Sequence, residues 1–403
     1  MKGYTASHKN FVHTEKMKIL VLTDMFPGKG DSTSGIFVYE LSKAISCKNQ
    51  VLIIHPQIWN PLRGEFYRKD TYYNHFNDIE VYRPRLFVLP KGDRLFFRAF
   101  IFFLTALPLV ARLRRKFCFD LIHAHMAGPA GFAAALLGII LRKPVIITAH
   151  GSDIHSFPKH FFLKHMVVFT LKRATQIVAV SQSLKDSMLK MINLRREIFV
   201  IRNGANHEVF FPTDKTIARK QLNLPHDKKI ILFIGNLLPI KGIDLLLHAF
   251  ANISKKDSTK LIIIGKGESA CELKDLTSEL HIDTHVSFIG IKKHNEIPLW
   301  LNACDVFCLP SRNEGFPTVI VEALACGRPV IATRVDGIPE AVTNDTLGIL
   351  VEPNNTEELA AALNKALEKE WDYQAIAEYG KRFSWDTIAE EYTELYKNVI
   401  SKK

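Results

Sequence analysis

The chain has 403 residues, of which 47% are hydrophobic and 23% are charged, and its formal net charge is +12. This composition is that of a globular protein and excludes wholesale disorder, while the length favours two domains over one. The charge is uneven: residues 1–210 contain 30 Lys and Arg against 14 Asp and Glu, whereas the remainder contains 23 against 27. We therefore expect the first half to face an anionic partner, which could be a membrane surface, a phosphorylated acceptor or nucleic acid.

Residues 1–16 are polar and lack the apolar segment of a signal peptide, so we expect a disordered leader. The longest apolar run, residues 99–111, contains Pro108 and is shorter than the roughly 20 residues that span a bilayer. No membrane crossing is expected from it. The six cysteines form no CxxC pair, which predicts reduced thiols and a cytoplasmic protein, with peripheral attachment to the inner face of the membrane as an option.

Short apolar runs alternate with helical patterns along the chain, which predicts an α/β fold with doubly wound parallel sheets. In the first half, the predicted strands are residues 17–22, 51–54, 120–123, 144–148, 176–180 and 198–201. A polar stretch at residues 203–225 precedes a second series at residues 229–234, 260–264, 285–289, 305–309, 329–332 and 348–351. We expect domains at residues 17–208 and 209–383, followed by an amphipathic helix within residues 384–403 that Ser384 caps.

The segment SRNEGFPTVIVEALACGRP, residues 311–329, predicts a loop and a helix that follow a buried strand. The first-turn amides of this helix, together with its dipole, form an anion site. The residues that would form this turn are Phe316, Pro317, Thr318 and Val319. Glu314 before the helix and Glu322 inside it would place acceptors for sugar hydroxyls on either side of a bound phosphate. A nucleotide sugar has this layout, although the two glutamates could simply complement the positive end of the helix.

Glycines and a lysine recur where strands of the second half end, and ligands bind at that edge in open α/β sheets. Gly235 follows the first of these strands, and Lys241 opens the next helix, where it would place a cation beside the phosphates of a ligand. Gly265 and Gly267 follow the next strand and permit close approach of the backbone. Each signal is weak alone, and the spacing lacks the third glycine of a dinucleotide fingerprint.

Two histidines stand at the ends of neighbouring strands in the first half: His125, and His150 within the sequence HGSD that ends at Asp153. A histidine at a strand end can bind sugar hydroxyls or phosphate, or it can be a structural group. No pair of histidines has metal-ligand spacing with a carboxylate, and Cys304 with Cys308 favours packing over zinc binding. We expect no metal site.

Residues 94–116, RLFFRAFIFFLTALPLVARLRRK, combine an aromatic stretch with a basic cluster at each end. Such a segment suits a helix in the interface of an anionic membrane. It equally suits a core helix with a solvated basic end, and both interpretations remain open.

With these residues in hand, the chain resembles the retaining GT-B glycosyltransferases of family 4, which include glycogen and sucrose synthases and bacterial lipopolysaccharide and mannosyl transferases. The most specific match is the EX7E motif, which Glu314 and Glu322 form inside NEGFPTVIVEALACGRPVIAT. Further matches are SGIFVYE at Ser34, TAHGSD at Thr148, VIRNGANHEVF at Val200, FIGNLLPIKGIDLLLHAF at Phe233 and DGIPE at Asp336.

The resemblance implies two Rossmann-like domains that face each other across a cleft, with the donor on the C-terminal domain, the acceptor on the N-terminal one and a last helix that crosses back. It implies that Glu322 binds the ribose and that Glu314 and the amides at residues 316–319 bind the sugar and phosphate. Lys241 would bind the diphosphate, Gly35 would approach it from the other domain, and His150 would contact the transferred sugar. We also assign Asn236, Gly265 and Gly267 to the donor, and His125 and Asp153 to the acceptor.

One position departs from the family pattern: Asn236 stands where the family commonly has an arginine that contacts the diphosphate. Either Arg334 or Arg202 substitutes for it, or stabilisation of the leaving group is weaker. The resemblance implies transfer without a metal or other cofactor, by attack on the same face of the sugar, so that neither glutamate acts as a nucleophile.

The predicted function is transfer of a sugar from a nucleotide diphosphate sugar to a hydroxyl of a lipid-linked acceptor or a polysaccharide precursor. Two alternatives share the fold: a sugar-nucleotide epimerase or phosphorylase, and a non-catalytic protein that binds nucleotide sugars. Nucleic acid is not an expected partner, because no base-reading module accompanies the basic half.

Overall fold

The computed structural model describes residues 16–28, 33–59, 73–76, 79–87, 94–193 and 196–402. The expected leader lies outside these residues, apart from Lys16. The strands of the first half are β1 (Lys18–Thr23), β2 (Gln50–Ile54), β3 (Gln57–Trp59), β4 (Tyr73–Phe76), β5 (Ile79–Tyr82), β6 (Arg85–Phe87), β7 (Leu121–His125), β8 (Val145–Ala149), β9 (Gln176–Ala179) and β10 (Ile198–Val200). Its helices are α1 (Ile36–Ser46), α2 (Arg94–Leu113), α3 (Pro129–Leu141), α4 (Ser152–His155), α5 (Phe161–Arg173) and α6 (Gln182–Met191).

The second half alternates strands and helices in the same way. Its strands are β11 (Lys229–Ile234), β12 (Thr259–Ile264), β13 (Val286–Gly290), β14 (Val306–Leu309), β15 (Val330–Thr333) and β16 (Gly348–Val351). Its helices are α7 (Lys215–Gln221), α8 (Ile243–Ala251), α9 (Ala270–Glu279), α10 (Ile297–Ala303), α11 (Thr318–Ala325), α12 (Ile338–Ala341), α13 (Thr356–Glu368), α14 (Tyr373–Gly380) and α15 (Trp385–Ser401).

Each half forms its own sheet, so the predicted α/β fold with two doubly wound sheets is confirmed. Within the described residues, the first sheet has the order β10-β9-β8-β7-β1-β2-β5-β4, and only β4 runs antiparallel to its neighbour. The second sheet has the order β13-β12-β11-β14-β15-β16 and is parallel throughout, while β3 and β6 pair separately. The near-continuous apolar character of the central strands follows from helices that cover both faces of each sheet.

The strand order reverses direction once in each sheet, and these two points position the candidate site. In the first sheet the chain proceeds from β1 to β2 on one side and from β7 to β10 on the other. In the second sheet, β11 lies between β12 and β14 in the same way. Ligands of doubly wound proteins bind outside the carboxyl ends of the strands at such points. The loops after β1, β7, β11 and β14 are therefore the ones to inspect.

The last helix, α15, leaves the second half and packs on the first. Its apolar face contacts α1 in one buried cluster with residues of β1 and β2. The Ser384 hydroxyl accepts a hydrogen bond from the Asp386 amide at 3.2 Å, so the predicted cap is present. Ser384 also bridges to Ala205 in the segment that joins the halves. The two crossings of the chain between the halves therefore lie side by side.

Helix α2 is longer than the apolar run that suggested it, because it continues through Pro108 from Arg94 to Leu113. Among the described residues, its segment Leu95–Leu113 is the one helix long and apolar enough to cross a membrane, judged by length and composition alone. The expectation that this segment is too short is therefore wrong. One face of α2, including Phe102 and Val110, is fully buried as in a core helix, while Phe97 and Leu104 on the other face are exposed.

Candidate active site

A cavity of about 410 Å³ lies between the two halves, at the carboxyl ends of both sheets. Most residues predicted for the donor line it: Gly35, His150, Asn236, Lys241, Gly265, Glu314, Phe316, Pro317, Thr318, Val319 and Glu322. Gly267 is not among the lining residues, and neither are His125 and Asp153. The structure thus brings together residues that are up to 287 positions apart, since Gly35 of the first half and Glu322 of the second half line the same cavity.

The amino end of α11 opens into this cavity. The helix begins at Thr318 with Pro317 as its N-cap residue, so Pro317 precedes the first turn and does not belong to it. No side chain caps this end. The amides of the first turn are therefore available to an anionic group, and the helix dipole favours such a group.

Lys241 and Glu314 form an ion pair in the cleft, with 2.6 Å between Nζ and Oε1. The Ser311 hydroxyl donates to the same carboxylate oxygen at 2.8 Å. Gly242 positions the lysine: its φ is 66°, and a side chain there would collide with the carbonyl oxygen of Pro310. The cation predicted for the phosphates and the carboxylate predicted for the sugar thus pair with each other in the cleft.

Glu322 forms a second pair, with His294, at 2.9 Å between Oε1 and Nε2. Burial opposes protonation of His294, but the carboxylates of Glu322 and Glu40 outweigh it and raise the pKa of the imidazole above its ordinary value. Glu40 belongs to α1 and accepts a hydrogen bond from Asn206 at 3.2 Å. Sequence reasoning missed His294, although it stands four residues beyond the end of β13 and the rule applied to other strand ends would have found it.

The wall formed by the first half carries three neighbouring imidazoles. Nδ1 of His125 lies 3.0 Å from Nε2 of His150, and the rings of His123 and His125 stack with centroids 4.4 Å apart. Burial lowers the pKa of His125 to about 3, and burial with the neighbouring His125 lowers that of His150 well below its ordinary value. Both rings are therefore neutral near pH 7. Nδ1 of His150 is buried and has no hydrogen-bond partner within the described part of the chain.

His123 connects this wall to the last helix. Its Nδ1 lies 2.7 Å from the hydroxyl of Tyr396, and its Nε2 lies 2.8 Å from the hydroxyl of Thr148. Thr148 in turn lies 3.0 Å from the hydroxyl of Tyr392. Since all four side chains are buried, α15 holds the strands that carry His125 and His150 through a polar network as well as through apolar packing.

Two assignments to the acceptor are corrected by these contacts. His125 is the last residue of β7, is buried, and bonds to His150, so it supports the cleft wall and does not reach an acceptor. The carboxylate of Asp153 is also buried and accepts hydrogen bonds from the amides of Ala127, His150 and Gly151 at 2.7 to 3.1 Å. Because these backbone amides occupy its carboxylate oxygens, Asp153 holds the loop after β8 in shape.

The arginines suggested as replacements for the missing family arginine are also corrected. Arg334 pairs with Glu352 at 3.2 Å, Arg202 donates to Glu340 at 2.6 Å, and neither lines the cavity. The cavity is lined instead by Lys266 and Lys292, which follow β12 and β13, in addition to Lys241. These three lysines follow neighbouring strands of the same sheet and line the same cavity.

Among the described residues, no group of three or more His, Cys, Asp or Glu side chains is arranged to hold a metal ion.

Comparison with known proteins divides the chain into the same two halves. Residues 35–209 match the family model described as Glycosyltransferase Family 4, and residues 214–383 match the model described as glycosyl transferases group 1. The chain belongs to glycosyltransferase family 4. Its fold is GT-B, as in the structure of Anabaena HepE in complex with UDP, which has a TM-score of 0.73 and 24% identity over 95% of this chain and all of that one.

Two curated relatives cover almost the whole of this glycosyltransferase. N-acetyl-alpha-D-glucosaminyl L-malate synthase of Bacillus anthracis is 26% identical over 95% of this chain and 98% of its own length. The putative teichuronic acid biosynthesis glycosyltransferase TuaC of Bacillus subtilis is 31% identical over 87% of this chain and 89% of its own. The resemblance drawn from the EX7E segment and the other motifs is thus confirmed at the level of family and fold.

Proposed function

We propose that this glycosyltransferase transfers a sugar from a nucleotide diphosphate sugar to a hydroxyl group of its acceptor with retention of configuration. The observation that carries the proposal is the cleft itself, in which the amino end of α11, Lys241 and Glu322 face His150 of the other half. The ribose would bind at Glu322, the diphosphate at α11 and Lys241, and the sugar between Glu314 and His150. The UDP in the structure of HepE supports a nucleotide donor.

Donor binding requires the two ion pairs of the cleft, Lys241 with Glu314 and His294 with Glu322, to exchange partners. Lys241 would turn from Glu314 to the diphosphate, and Glu314 would then accept hydrogen bonds from sugar hydroxyls. A Coulomb interaction with a phosphate replaces one with a carboxylate, so the lysine remains neutralised at each stage. Nδ1 of His150, which has no hydrogen-bond partner among the described residues, would form a hydrogen bond with a hydroxyl of the transferred sugar.

The reaction we propose is attack on the same face of the sugar. The bond between the anomeric carbon and the phosphate oxygen breaks while the bond to the acceptor hydroxyl oxygen forms. The hydroxyl proton passes to the departing phosphate oxygen, and Lys241 with the α11 amides stabilises the charge that develops there. No metal takes part in this scheme, because the lysines and the helix dipole supply the positive charge.

We further propose that the exposed aromatic face of the first half meets an anionic membrane that carries a lipid-linked acceptor or a polysaccharide precursor. Phe97 of α2 and Phe161 of α5 are 61% and 71% exposed, and the two helices touch through Phe96 and Phe162, whose ring centroids are 5.7 Å apart. Exposed Arg112, Arg114 and Arg115 follow at the end of α2. Aromatic side chains with nearby arginines suit an anionic bilayer interface. The name of TuaC supports a cell-envelope polysaccharide as the product.

The test is a screen of nucleotide diphosphates by thermal shift, followed by NMR of the product formed from the best donor. We expect one nucleotide to stabilise the protein by roughly 2.7 kcal/mol at about 100 times its Kd, and a product with the anomeric configuration of the donor, formed equally well in EDTA. An inverted product would overturn the mechanism. Free isomerised sugar without acceptor would indicate an epimerase, and binding without nucleotide release would indicate a protein without catalytic function.

The membrane step has a separate test. Substitution of Arg112, Arg114 and Arg115 by Gln should release the protein from anionic vesicles while leaving donor binding intact. Substitution of the exposed Lys190 on α6 serves as the control. Unaltered binding to the vesicles would refute the membrane assignment.

A further inference from the structure

Four polar side chains lie near one another where β1, β2 and β5 end, beside the cavity and outside its lining. Asp24 follows β1, His55 follows β2 by one residue, and Arg83 follows β5 directly. Arg98, on the first turns of α2, lies 3.9 Å from Asp24 between Nη2 and Oδ1. The next residue after Asp24, Met25, lines the donor cavity, so this cluster borders the place where the sugar would be transferred.

The guanidinium group of Arg83 is buried, and it has no anionic partner among the residues that the structure describes. It donates to the carbonyl oxygen of Pro27 at 2.7 Å and lies 5.8 Å from the ring centroid of Phe26. No carboxylate of the described residues lies within 4.0 Å of it. Burial lowers the pKa of Arg83, which is the expected response of a charge that has lost water and gained no counter-ion. Buried charges are normally paired, and the described part of the chain supplies no counter-ion for this one.

Arg98 is incompletely partnered as well. Its one neighbouring carboxylate, Asp24, stands beyond hydrogen-bond distance, and its Nε has no partner within the described ranges. One oxygen of Asp24 accepts from the Ala130 amide at 2.8 Å, while the other, Oδ1, has no hydrogen bond there. The side chain of Arg98 is 21% exposed, so a molecule in solution can reach this group.

His55 links the surroundings of the two arginines. Its ring centroid lies 6.4 Å from that of Phe26, over which Arg83 lies. The ring also contacts Thr23, the neighbour of the Asp24 that Arg98 approaches. Burial and the positive charges of Arg83 and Arg98 lower the pKa of His55 to about 4. Its Nδ1 lies 3.2 Å from the carbonyl oxygen of Thr23, which fixes the ring against the end of β1. The imidazole is neutral near pH 7, so within the described part of the chain the cluster contains two positive charges and one carboxylate, that of Asp24. A second negative charge would balance it.

We propose that Arg83 and Arg98 bind an anionic group of the acceptor, a carboxylate or a phosphate, and so hold the attacking hydroxyl over the sugar. Guanidinium groups match both anions because their N–H groups form a planar fork. This inference rests on the proposed transfer reaction and specifies its acceptor. One relative is named N-acetyl-alpha-D-glucosaminyl L-malate synthase, and the L-malate in that name is a hydroxy acid with carboxylate groups, which agrees with this class of substrate.

The experiment compares matched acceptors with the wild type and with the variants Arg83→Gln and Arg98→Gln. Each pair of acceptors differs in one group: a polyol with and without a phosphate, and a hydroxy acid with and without its carboxylate. We expect each substitution to raise KM for the anionic acceptor about 10- to 100-fold, the usual effect of removing a hydrogen bond to a charged group. KM for the neutral acceptor should not change. Arg173→Gln, an exposed position on α5, is the matched control.

Two further measurements keep the result independent of folding and of the donor site. Inorganic phosphate should inhibit the wild type in competition with the acceptor and not with the donor, and this inhibition should weaken in both variants. The shift of the melting temperature by the donor nucleotide should be the same in all proteins. Failure of that nucleotide shift in the wild type would contradict the proposed function itself.

The acceptor assignment would be overturned by an equal loss with neutral and anionic acceptors, or by phosphate inhibition that persists unchanged in both variants. The two acceptor pairs decide between the ligands, because preference for the phosphate or for the carboxylate shows which anion the arginines bind.

Discussion

The two walls of the cleft balance their charges in opposite ways. On the wall of the second half, Lys241 pairs with Glu314 and Glu322 pairs with His294. Each of the charged side chains predicted to bind the donor therefore already has a protein partner. On the wall of the first half, the histidines are neutral and Arg83 has no carboxylate within 4.0 Å among the described residues. Within the described residues, Lys241, Glu314 and Glu322 of one wall each have an ion-pair partner, whereas Arg83 of the other wall has none.

This difference indicates how each wall meets its substrate. A wall of ion pairs can bind a nucleotide sugar by exchanging partners, because the donor brings both a diphosphate and hydroxyl groups. A wall where Arg83 has no carboxylate partner among the described residues, and where Arg98 only approaches Asp24 at 3.9 Å, gains most from an anionic molecule. The histidines of the first wall supply neutral hydrogen-bond groups, which suit sugar hydroxyls. Removing one member of each arrangement tests this difference. The kinetic constants then show whether the variant has lost binding of the donor or of the acceptor.

The largest effect is expected from Lys241→Ala. This variant removes the cation proposed to stabilise the leaving phosphate and leaves Glu314 buried without its partner. We expect kcat to fall about 100- to 1000-fold, the range seen when a group that stabilises transition-state charge is removed. Lys260→Ala, at the opposite end of the sheet, is the control. Initial rates at saturating donor measure the effect, and an unchanged kcat would remove Lys241 from the leaving-group site.

Glu322→Gln should act on donor binding and spare chemistry. The carboxylate proposed to accept hydrogen bonds from the ribose becomes an amide, so we expect donor KM to rise about 10-fold or more with kcat nearly unchanged, because the ribose does not react. Glu352→Gln, an exposed carboxylate of the same half, is the matched control. Calorimetry with the donor nucleotide measures the corresponding loss of binding affinity directly. A loss in kcat alone would place Glu322 near the reacting centre.

His125→Asn tests the other wall, where the expected effect is smaller. The variant loses the hydrogen bond that orients His150, and we expect kcat to fall about 10-fold while donor affinity persists. Since the pKa of His125 is about 3 and that of His150 is well below its ordinary value, the wild-type profile of kcat should show no ionisation of these histidines between pH 5 and 8. An inflection in that range that disappears in the variant would show that a histidine titrates during catalysis.

The donor wall was largely predictable from the sequence, because strand ends in a parallel sheet meet at one edge and the EX7E segment marks α11. Lys241, Glu314 and Glu322 follow from that rule. The partners that the side chains choose do not follow from it. His125 and Asp153 were placed on the acceptor because they lie near strand ends, yet both point into the protein and bond to neighbouring elements.

The arginine cluster could not be predicted at all, since Arg83 and Arg98 reach it from different kinds of element. Arg83 follows a strand, whereas Arg98 stands on a helix whose orientation toward the sheet depends on packing. Their convergence on His55 and Asp24 is a property of the folded chain. Similarly, Arg334 and Arg202 were plausible substitutes for the family arginine by position alone, but each is held by a glutamate elsewhere.

The smallest expected effect is a dependence of stability on pH that the pair of His294 and Glu322 produces. Burial opposes the charged imidazole, but Glu322 and Glu40 together raise its pKa above the unfolded value of 6.5. A folded-state pKa that is raised means that the native protein binds the proton more tightly. The stabilisation is therefore fully present below about pH 6.5 and is lost as the pH rises through the folded-state pKa.

Denaturant unfolding of the wild type at pH 6 and pH 9 measures this loss of unfolding free energy. In His294→Gln the difference between the two pH values should shrink, whereas the exposed His248→Gln on α8 should retain it. A variant whose unfolding free energy keeps the full wild-type dependence on pH would show that another group titrates, and the donor wall would then lack its second charge-neutralising pair.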